Sequence, residues 1–390
     1  MAQTITVELP TPANDIAQEE ITKQVAFLSR DITDIRFRDD GAILEFFAPD
    51  DAPGELLESA RALAVRVQRS LRSIERKIAY RTEAADRDVF RGTGLTDDIT
   101  MLGNGYGCLR GTAAKLYRYF KRLFEDVGAP WRAEYVITPT LIAAPTLAKC
   151  GYFESFPHNV TFACHLTEDA ERIEAFRKRH EGREDLDDTA LANFEHPHEC
   201  LSPAVCYHVY HLCQNTTVAK AGKAFNIRGK CFRYESSNME SLRRMWDFTM
   251  SEVVFLGTRE GVLRQRERAM AVVYKLLEDH DIAAEVRTAS DPFFVAPDAA
   301  AKTYFQLTSE TKFEISLMLP EGERIAAGSF NYHTDFFGRA FNCDVEGAGP
   351  MHSVCVAFGL ERWVYSFLAQ HGNDPAHWPA IMRDAPELAS

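Results

Sequence analysis

Residues 232–257 read FRYESSNMESLRRMWDFTMSEVVFLG, and residues 354–368 read VCVAFGLERWVYSFL. In the first stretch, alternation puts Arg233 and Glu235 on one face of a strand. A polar loop follows, then a short segment with Phe248, then a second strand from Glu252. A guanidinium and a carboxylate side by side suit a nucleotide, since the first grips phosphate bidentately and the second takes a nearby donor. The same two residues read equally well as a cross-strand ion pair. In the second stretch an apolar strand meets Gly359, and a helix begins with Leu360-Glu361-Arg362. That sets Arg362 at a strand-to-helix turn, where a fixed cation can meet phosphate or simply form an ion pair in solvent.

Working outward, periodicity predicts a long amphipathic helix over Leu109–Val127 and a strand over Ala133–Pro139. It predicts a charged, solvated helix over Leu166–Leu191 and further helices over Thr258–Asp279 and Phe358–His371. Ala204–Tyr210, Gly229–Glu235, Glu252–Leu256, Phe313–Leu319 and Val354–Phe358 read as strands. Hairpins and long loops outnumber regular crossover helices, so the class is α+β with an antiparallel or mixed sheet flanked by helices. Ahead of this, Thr4–Leu9, Ile16–Leu28, Ile32–Arg38, Ala42–Phe47, Glu55–Leu71 and Ile74–Tyr80 follow the order βαββαβ. The turn Asp39-Asp40-Gly41 joins the second and third strands. This order predicts a small, ferredoxin-like α/β domain over residues 1–85. Arg81–Asp98 reads as a linker into a second domain, residues 86–390.

The chain has 390 residues, 46% hydrophobic and 26% charged, a globular composition. No apolar run approaches a membrane span, and MAQTITVELP lacks the features of a signal peptide, so a cytoplasmic protein with no membrane partner is expected. Nine cysteines, an odd number, suit a reducing compartment. The net charge of −13 argues against a large nucleic-acid partner, whose phosphates call for a basic face.

Together the two stretches resemble motifs 2 and 3 of the class II aminoacyl-tRNA synthetases. A weaker motif 1 lies in the helix Leu109–Val127 and YVITPTLIAAPTLAKCGYF (135–153), with Pro139 at the proline. The resemblance covers about residues 100–375. It implies that Arg233 holds the α-phosphate of ATP and that Glu235 faces the adenine. It also implies that Phe248 stacks on the adenine and that Arg362 covers the γ-phosphate end, with Arg243 or Arg244 touching phosphate. Mg2+ is expected with ATP, and Glu310, Glu314 and Asp344 are the carboxylates considered for it. Motif 1 implies a homodimer.

For a metal, residues alone point to HPHECLSPAVCYHVYHLC (196–213), which offers His196, His198, Cys200, Cys206, His208, His211 and Cys213. No Cys-x2-Cys pair is present and the spacing fits no zinc knuckle. LSPAVCYHVY, SEVVFLGT and HSVCVAFGLERW instead resemble a subgroup that holds zinc in the amino-acid pocket. That subgroup joins archaeal-type seryl-tRNA synthetases to the amino acid:[carrier protein] ligases. The resemblance implies one Zn2+ per chain on Cys206, Glu252 and Cys355, each expected on its own strand, with a fourth position open for the substrate's α-amine.

The stretches YFESFPHNVTFACHL (152–166) and TKFEISLMLP…GSFNYHTDFFG (311–338) also resemble the carrier-protein ligases. These activate a small amino acid as its adenylate and pass it to a phosphopantetheine thiol. The lack of a basic N-terminal arm fits that acceptor better than tRNA. The N-terminal unit keeps a seryl-tRNA synthetase-like reading open. A non-catalytic, synthetase-like binding subunit would be expected to have damaged motifs, and these are intact.

Overall fold

The computed structural model describes residues 2–29, 32–49, 54–86, 90–186, 188–235, 239–291, 293 and 299–388. An eight-stranded sheet organises most of the chain. Its order is Ile78–Arg81, Ala284–Thr288, Lys312–Met318, Arg324–Tyr332, His352–Gly359, Asp247–Gly257, Lys223–Phe232 and Glu134–Ile137. Neighbours are antiparallel except the edge strand Glu134–Ile137, which runs parallel to Lys223–Phe232. The central strands are buried along nearly their whole length, which explains why they read as continuous apolar runs rather than alternating ones.

The two faces of this sheet differ. Val253, Phe255, Val354, Val356, Phe358, Ile315 and Phe330 project to one side and pack under three helices. Gly111–Val127 buries Ala113, Leu116, Phe120 and Phe124, at helical spacing. Arg259–Asp279 starts at Thr258, whose hydroxyl accepts from Gly261 N, and buries Val262, Ala269, Val273 and Leu277. Leu360–His371 is buried on nearly all sides and is the central helix. Phe124 stacks on Phe358 at 4.3 Å and meets Trp363 edge-on at 4.9 Å, locking the helix layer to the sheet. The opposite face carries Glu252, Cys355, Ala357, Ser329, Asn331, Lys312 and Glu314, and it is this face that opens into cavities.

At the N-terminus the strands Ala2–Glu8, Ile43–Pro49 and Thr33–Arg38 pair antiparallel in that order. The helices Asp15–Val25 and Gly54–Leu71 pack on them around Ile21, Leu44, Phe46, Leu63 and Val67. The βαββα part of the expected unit is therefore present. Its last strand is not: Ile78–Arg81 leaves the small sheet and pairs with Ala284–Thr288 in the large one. Its side chains explain this choice. Tyr80 stacks on Tyr274 at 4.1 Å and donates to Glu278 at 2.7 Å, while Thr82 Oγ1 donates to Ile282 O at 2.8 Å. All these partners lie in the second unit.

Three other expectations are corrected. The stretch Arg81–Asp98, of which residues 87–89 lie outside the described residues, is docked rather than free. Gly92 N donates to Ala369 O at 3.0 Å, and a Cβ on Gly92 would collide with Leu368 O. Only Ala170–His180 of Leu166–Leu191 is α-helical; residue 187 lies outside the described residues and Asp188–Asn193 forms a 3-10 turn. Ala204–Tyr210 forms no strand. Cys206, Val209, Tyr210 and Cys213 are buried while His211 and Leu212 are exposed, a spacing that fits the helix Cys206–Leu212 and not an extended segment.

Candidate functional site

Two cavities open on the free face of the large sheet. The smaller, about 120 Å3, is lined by Arg233, Glu235, Phe248, Glu314, Ser329, Gly359, Glu361 and Arg362, among others. The larger, about 690 Å3, holds Cys206, Glu252 and Cys355 in its wall. Arg233, Met250, Lys312 and Ser329 line both, so these four side chains mark where the cavities meet.

Arg233 and Glu235 do not sit within a strand as alternation suggested. Lys223–Phe232 ends just before them, and they stand on its extension. Arg233 N still donates to Trp246 O at 3.0 Å, which keeps the segment in register with the return strand. The Arg233 Nε donates to Pro203 O at 2.9 Å, and its guanidinium lies 5.4 Å from the centre of the Phe248 ring. Residues 236–238 of this motif lie outside the described residues. Arg362, in the first turn of Leu360–His371, donates to Arg243 O at 2.9 Å and Ala326 O at 2.8 Å. Burial lowers the pKa of its guanidinium. The buried Glu361 accepts from Thr249 N at 2.8 Å, joining this helix to the strand that carries Phe248.

Among the other sequence candidates, only Glu314 joins the smaller cavity. The Arg243 side chain pairs with Glu323 at 2.6 Å, and Arg244 approaches Glu235 at 3.7 Å. Neither lines a described cavity wall. Glu310 pairs with Lys77 at 2.8 Å, and Asp344 lies in a separate three-stranded sheet, so neither is placed to serve a metal in the cleft.

The ligand atoms of Cys206, Glu252 and Cys355 lie within 4.8 Å of one another, and all three residues are buried. Among the described residues this is the one such group. Glu252 and Cys355 come from adjacent antiparallel strands, where Val254 pairs with Cys355 and Ala357 with Glu252; the two are diagonal neighbours on one face. Cys206 reaches them from the first position of the helix Cys206–Leu212, correcting the expectation of a third strand. The rest of the 196–213 cluster is dispersed. His208 bonds Ser202 at 3.1 Å, His211 bonds Thr146 at 3.3 Å, and Cys200 and Cys213 are packed in apolar clusters. His196 and His198 face each other at 5.4 Å.

The electrostatics of the triad point to a cation. Glu252 Oε2 is buried with no hydrogen-bond partner. Burial, with Cys355 beside it, pushes the Glu252 carboxyl up. The hydrogen bond to Cys355, burial and Glu252 push the Cys206 thiol up. The bond from Cys206 and donors on His333 and Asn331 draw Cys355 down. Asn331 Nδ2 stands 3.2 Å and His333 Nε2 3.8 Å from Cys355 Sγ. His333 Nδ1 lies 3.1 Å from Ser353 Oγ and 3.2 Å from Tyr210 Oη, contacts that turn the opposite ring edge to the sulfur. Two sulfurs and a buried carboxylate with one unpartnered oxygen, in the wall of the larger cavity, fit a borderline-soft dication, and three protein donors leave a coordination position free.

Sequence reasoning gave no role to Lys312, Asp291, Asn331 or His333. Three of them lie in the stretches TKFEISLMLP and GSFNYHTDFFG, where nothing but their type distinguished them from strand and turn residues.

No family model matches the chain. It is 34% identical over 248 residues to amino acid–[acyl-carrier-protein] ligase 1 of Bradyrhizobium diazoefficiens, covering 63% of this chain and 74% of that protein. Ligase 2 of the same organism is 34% identical over 256 residues, covering 64% and 74%. The type-2 serine–tRNA ligase of Methanopyrus kandleri is 26% identical over 271 residues, covering 66% of this chain and 51% of its own. Among solved structures, the M. kandleri seryl-tRNA synthetase in complex with Aquifex aeolicus tRNASec superposes with a TM-score of 0.68. It covers 97% of this chain and 76% of that one at 20% identity. The Pyrococcus horikoshii seryl-tRNA synthetase complexed with ATP gives 0.52, covering 69% and 54% at 16% identity. The large sheet with its helix layer is thus a class II synthetase-like fold.

Proposed function

The chain belongs to the amino acid–[acyl-carrier-protein] ligase family, AMP-forming ligases, and from that premise we propose that it activates a small amino acid with ATP and transfers it to the phosphopantetheine thiol of a carrier protein. The observation that carries this reading is the meeting of the two cavities at Arg233. Adenylation joins an amino-acid carboxylate to an α-phosphate, so the two substrates need adjoining pockets with a cation at the junction. Here a cleft with an aromatic wall and two arginines adjoins a chamber whose wall carries Cys206, Glu252 and Cys355.

In this scheme Phe248 offers a face to the adenine, Glu235 takes a donor from its edge, and Arg362 neutralises the γ-phosphate end. Arg233 holds the α-phosphate as charge shifts onto the leaving pyrophosphate. Mg2+ accompanies the triphosphate, with Glu314 the described acidic side chain best placed to meet it. Cys206, Glu252 and Cys355 would hold zinc, which when bound supplies a Lewis-acid position for the substrate's neutral α-amine. In the second half-reaction the thiol attacks the mixed anhydride and AMP leaves.

A division into a small unit, residues 1–85, and a catalytic unit, residues 86–390, goes with this proposal, with the strand Ile78–Arg81 of the first crossing into the large sheet. The N-terminal apolar core supports it, being built from residues between Val7 and Ile74 with Leu307 the one addition among the described residues. No described helix is long and apolar enough to cross a membrane. A homodimer is proposed through the edge strand Glu134–Ile137 and the neighbouring helix Gly111–Val127. On that strand Tyr135 is 49% and Ile137 82% exposed, apolar side chains on an unpaired sheet edge. Light scattering at micromolar protein should return twice the chain mass, and Ile137→Asp should shift the population toward monomer; a wild-type monomer would remove the dimer.

The acceptor is tested by offering the enzyme, ATP and its preferred amino acid with either holo carrier protein or total tRNA. A thioester on the holo carrier, absent from the apo form that lacks phosphopantetheine, is expected. Stable aminoacylation of tRNA with no carrier product would establish the seryl-tRNA synthetase-like alternative. Carrier proteins are commonly acidic and this chain carries −13, so docking calls for a local basic patch. Of the two Arg-rich stretches, 110–122 adjoins the proposed dimer face, which leaves 259–268, with Arg259, Arg264 and Arg268 exposed, as the landing site. Transfer should therefore fall as ionic strength rises while pyrophosphate exchange changes less.

A further inference from the structure

Lys312 opens the strand Lys312–Met318 and is 8% exposed. Its ammonium pairs with Asp291 at 2.7 Å and Glu314 at 3.2 Å, and Asp291 is itself held by Gln306 Nε2 at 2.7 Å. Burial works against the Lys312 charge, but Asp291 and Glu314 outweigh it and hold the group protonated. Two carboxylates use two of the three N–H donors of an ammonium. The third is available at the place where the two cavities meet, since Lys312 lines both.

The register of the sheet says what that donor faces. Lys312 pairs with Asn331, and Asn331 with Cys355; Glu314 pairs with Ser329, and Ser329 with Ala357, which pairs with Glu252. Paired residues share a face, so Lys312 and Cys355 stand in one row with Asn331 between them, about 10 Å apart across two strand spacings. An α-amino acid whose amine is held at Cys206, Glu252 and Cys355 has its carboxylate one carbon away, over Asn331 and Ser329. Lys312 stands at the far end of that row from Cys355, beyond Asn331.

We propose that Lys312 is a catalytic residue that holds the substrate's α-carboxylate in line with the α-phosphate. This rests on the ligase reading above. In the step, a carboxylate oxygen uses a lone pair to form a bond to the α-phosphorus. The bond from that phosphorus to the bridging oxygen breaks, and pyrophosphate leaves with the electron pair. No proton moves: Lys312 stays an ammonium throughout, and its third N–H donates to the substrate carboxylate. Without Lys312 the incoming carboxylate would meet Glu314, Asp291 and the triphosphate with Arg233 as the one remaining cation that lines both cavities.

The test is a comparison of Asp291→Asn with Asp291→Asn/Lys312→Met, both scored by amino-acid-dependent pyrophosphate exchange and by thermal unfolding. In the Asp291→Asn background only the pair with Glu314 at 3.2 Å remains, so the structural cost of replacing the lysine is confined to that one pair and is read separately by thermal unfolding. The expected result is a further loss of about 100- to 1000-fold, the usual effect of removing one donor to a reacting oxygen. It should fall on kcat and on the KM for amino acid more than on the KM for ATP. Lys312→Arg keeps both carboxylates paired and should fold, yet lose at least about tenfold, because a planar fork between two acids leaves no donor on the third axis. A binding measurement separates this from simple damage: wild type should prefer the amino acid over its amino alcohol, and the lysine variants should lose that preference. Exchange rates in the double variant equal to those of Asp291→Asn, or an unchanged preference in Lys312→Arg, would overturn the assignment. Wild-type protein with no amino-acid-dependent exchange would overturn the ligase reading and this inference together.

Discussion

Replacing Arg233 by alanine is expected to slow amino-acid-dependent pyrophosphate exchange by about 100- to 1000-fold, equivalent to about 3–4 kcal/mol of transition-state stabilisation. The reasoning runs through position. Arg233 is common to the walls of both cavities, so it lies against the atoms that react rather than against one substrate alone. Its Nε is fixed by Pro203 O and its plane by Phe248, which leaves the remaining N–H groups preorganised. A donor that is fixed before the reaction needs no reorganisation as charge builds on the phosphate, which is why such groups matter more to rate than to ground-state binding. The loss should therefore appear mainly in kcat. Thermal unfolding of the variant checks that the fold survives, since the guanidinium also bonds Pro203. Near-wild-type exchange in a folded Arg233→Ala would mean that the adenylate forms elsewhere.

What the sequence disclosed and withheld follows from which interactions are local. Gly359 and Arg362 were legible because strand, turn and helix succeed one another within a few residues. The apolar strands that carry Glu252 and Cys355 were legible one at a time, but the pairing of these two residues as ligands came only from the family resemblance, since residues alone pointed to the 196–213 cluster. Cys206 was misread because CYHVYHL is rich in residues that favour strands, while the packing of Val205, Val209 and Tyr210 against Phe337 and Phe341 selects a helix. Ile78–Arg81 looked like the closing strand of the small domain because its true partner, Ala284–Thr288, is about 200 residues away and invisible to local periodicity. Lys312 and Asp291 were silent for a related reason. A lysine beginning an apolar strand ordinarily faces water, and only the register across four strands shows that this one is enclosed and paired.

Removal of either sulfur ligand is expected to abolish amino-acid activation together with metal content. Purified wild-type protein should carry about one zinc per chain, and Cys206→Ala and Cys355→Ala should each retain a small fraction of it. Two donors cannot replace three, and the lost ligand leaves Glu252, already short of one hydrogen bond in its buried site, with still less compensation. His208→Ala is the informative control. His208 lies on the same helix as Cys206 but bonds Ser202, so its replacement should leave zinc content unchanged. Full zinc in both cysteine variants would refute the triad. Activation should also depend on the substrate's amine, because only the neutral form has a lone pair for the open position. Raising the pH toward the amine's own pKa should therefore lower the KM for amino acid, and the corresponding acids lacking an amine should be poor substrates. A KM that is flat with pH, with deamino acids activated as well as amino acids, would show that the amine is bound without the metal, whatever zinc the protein carries.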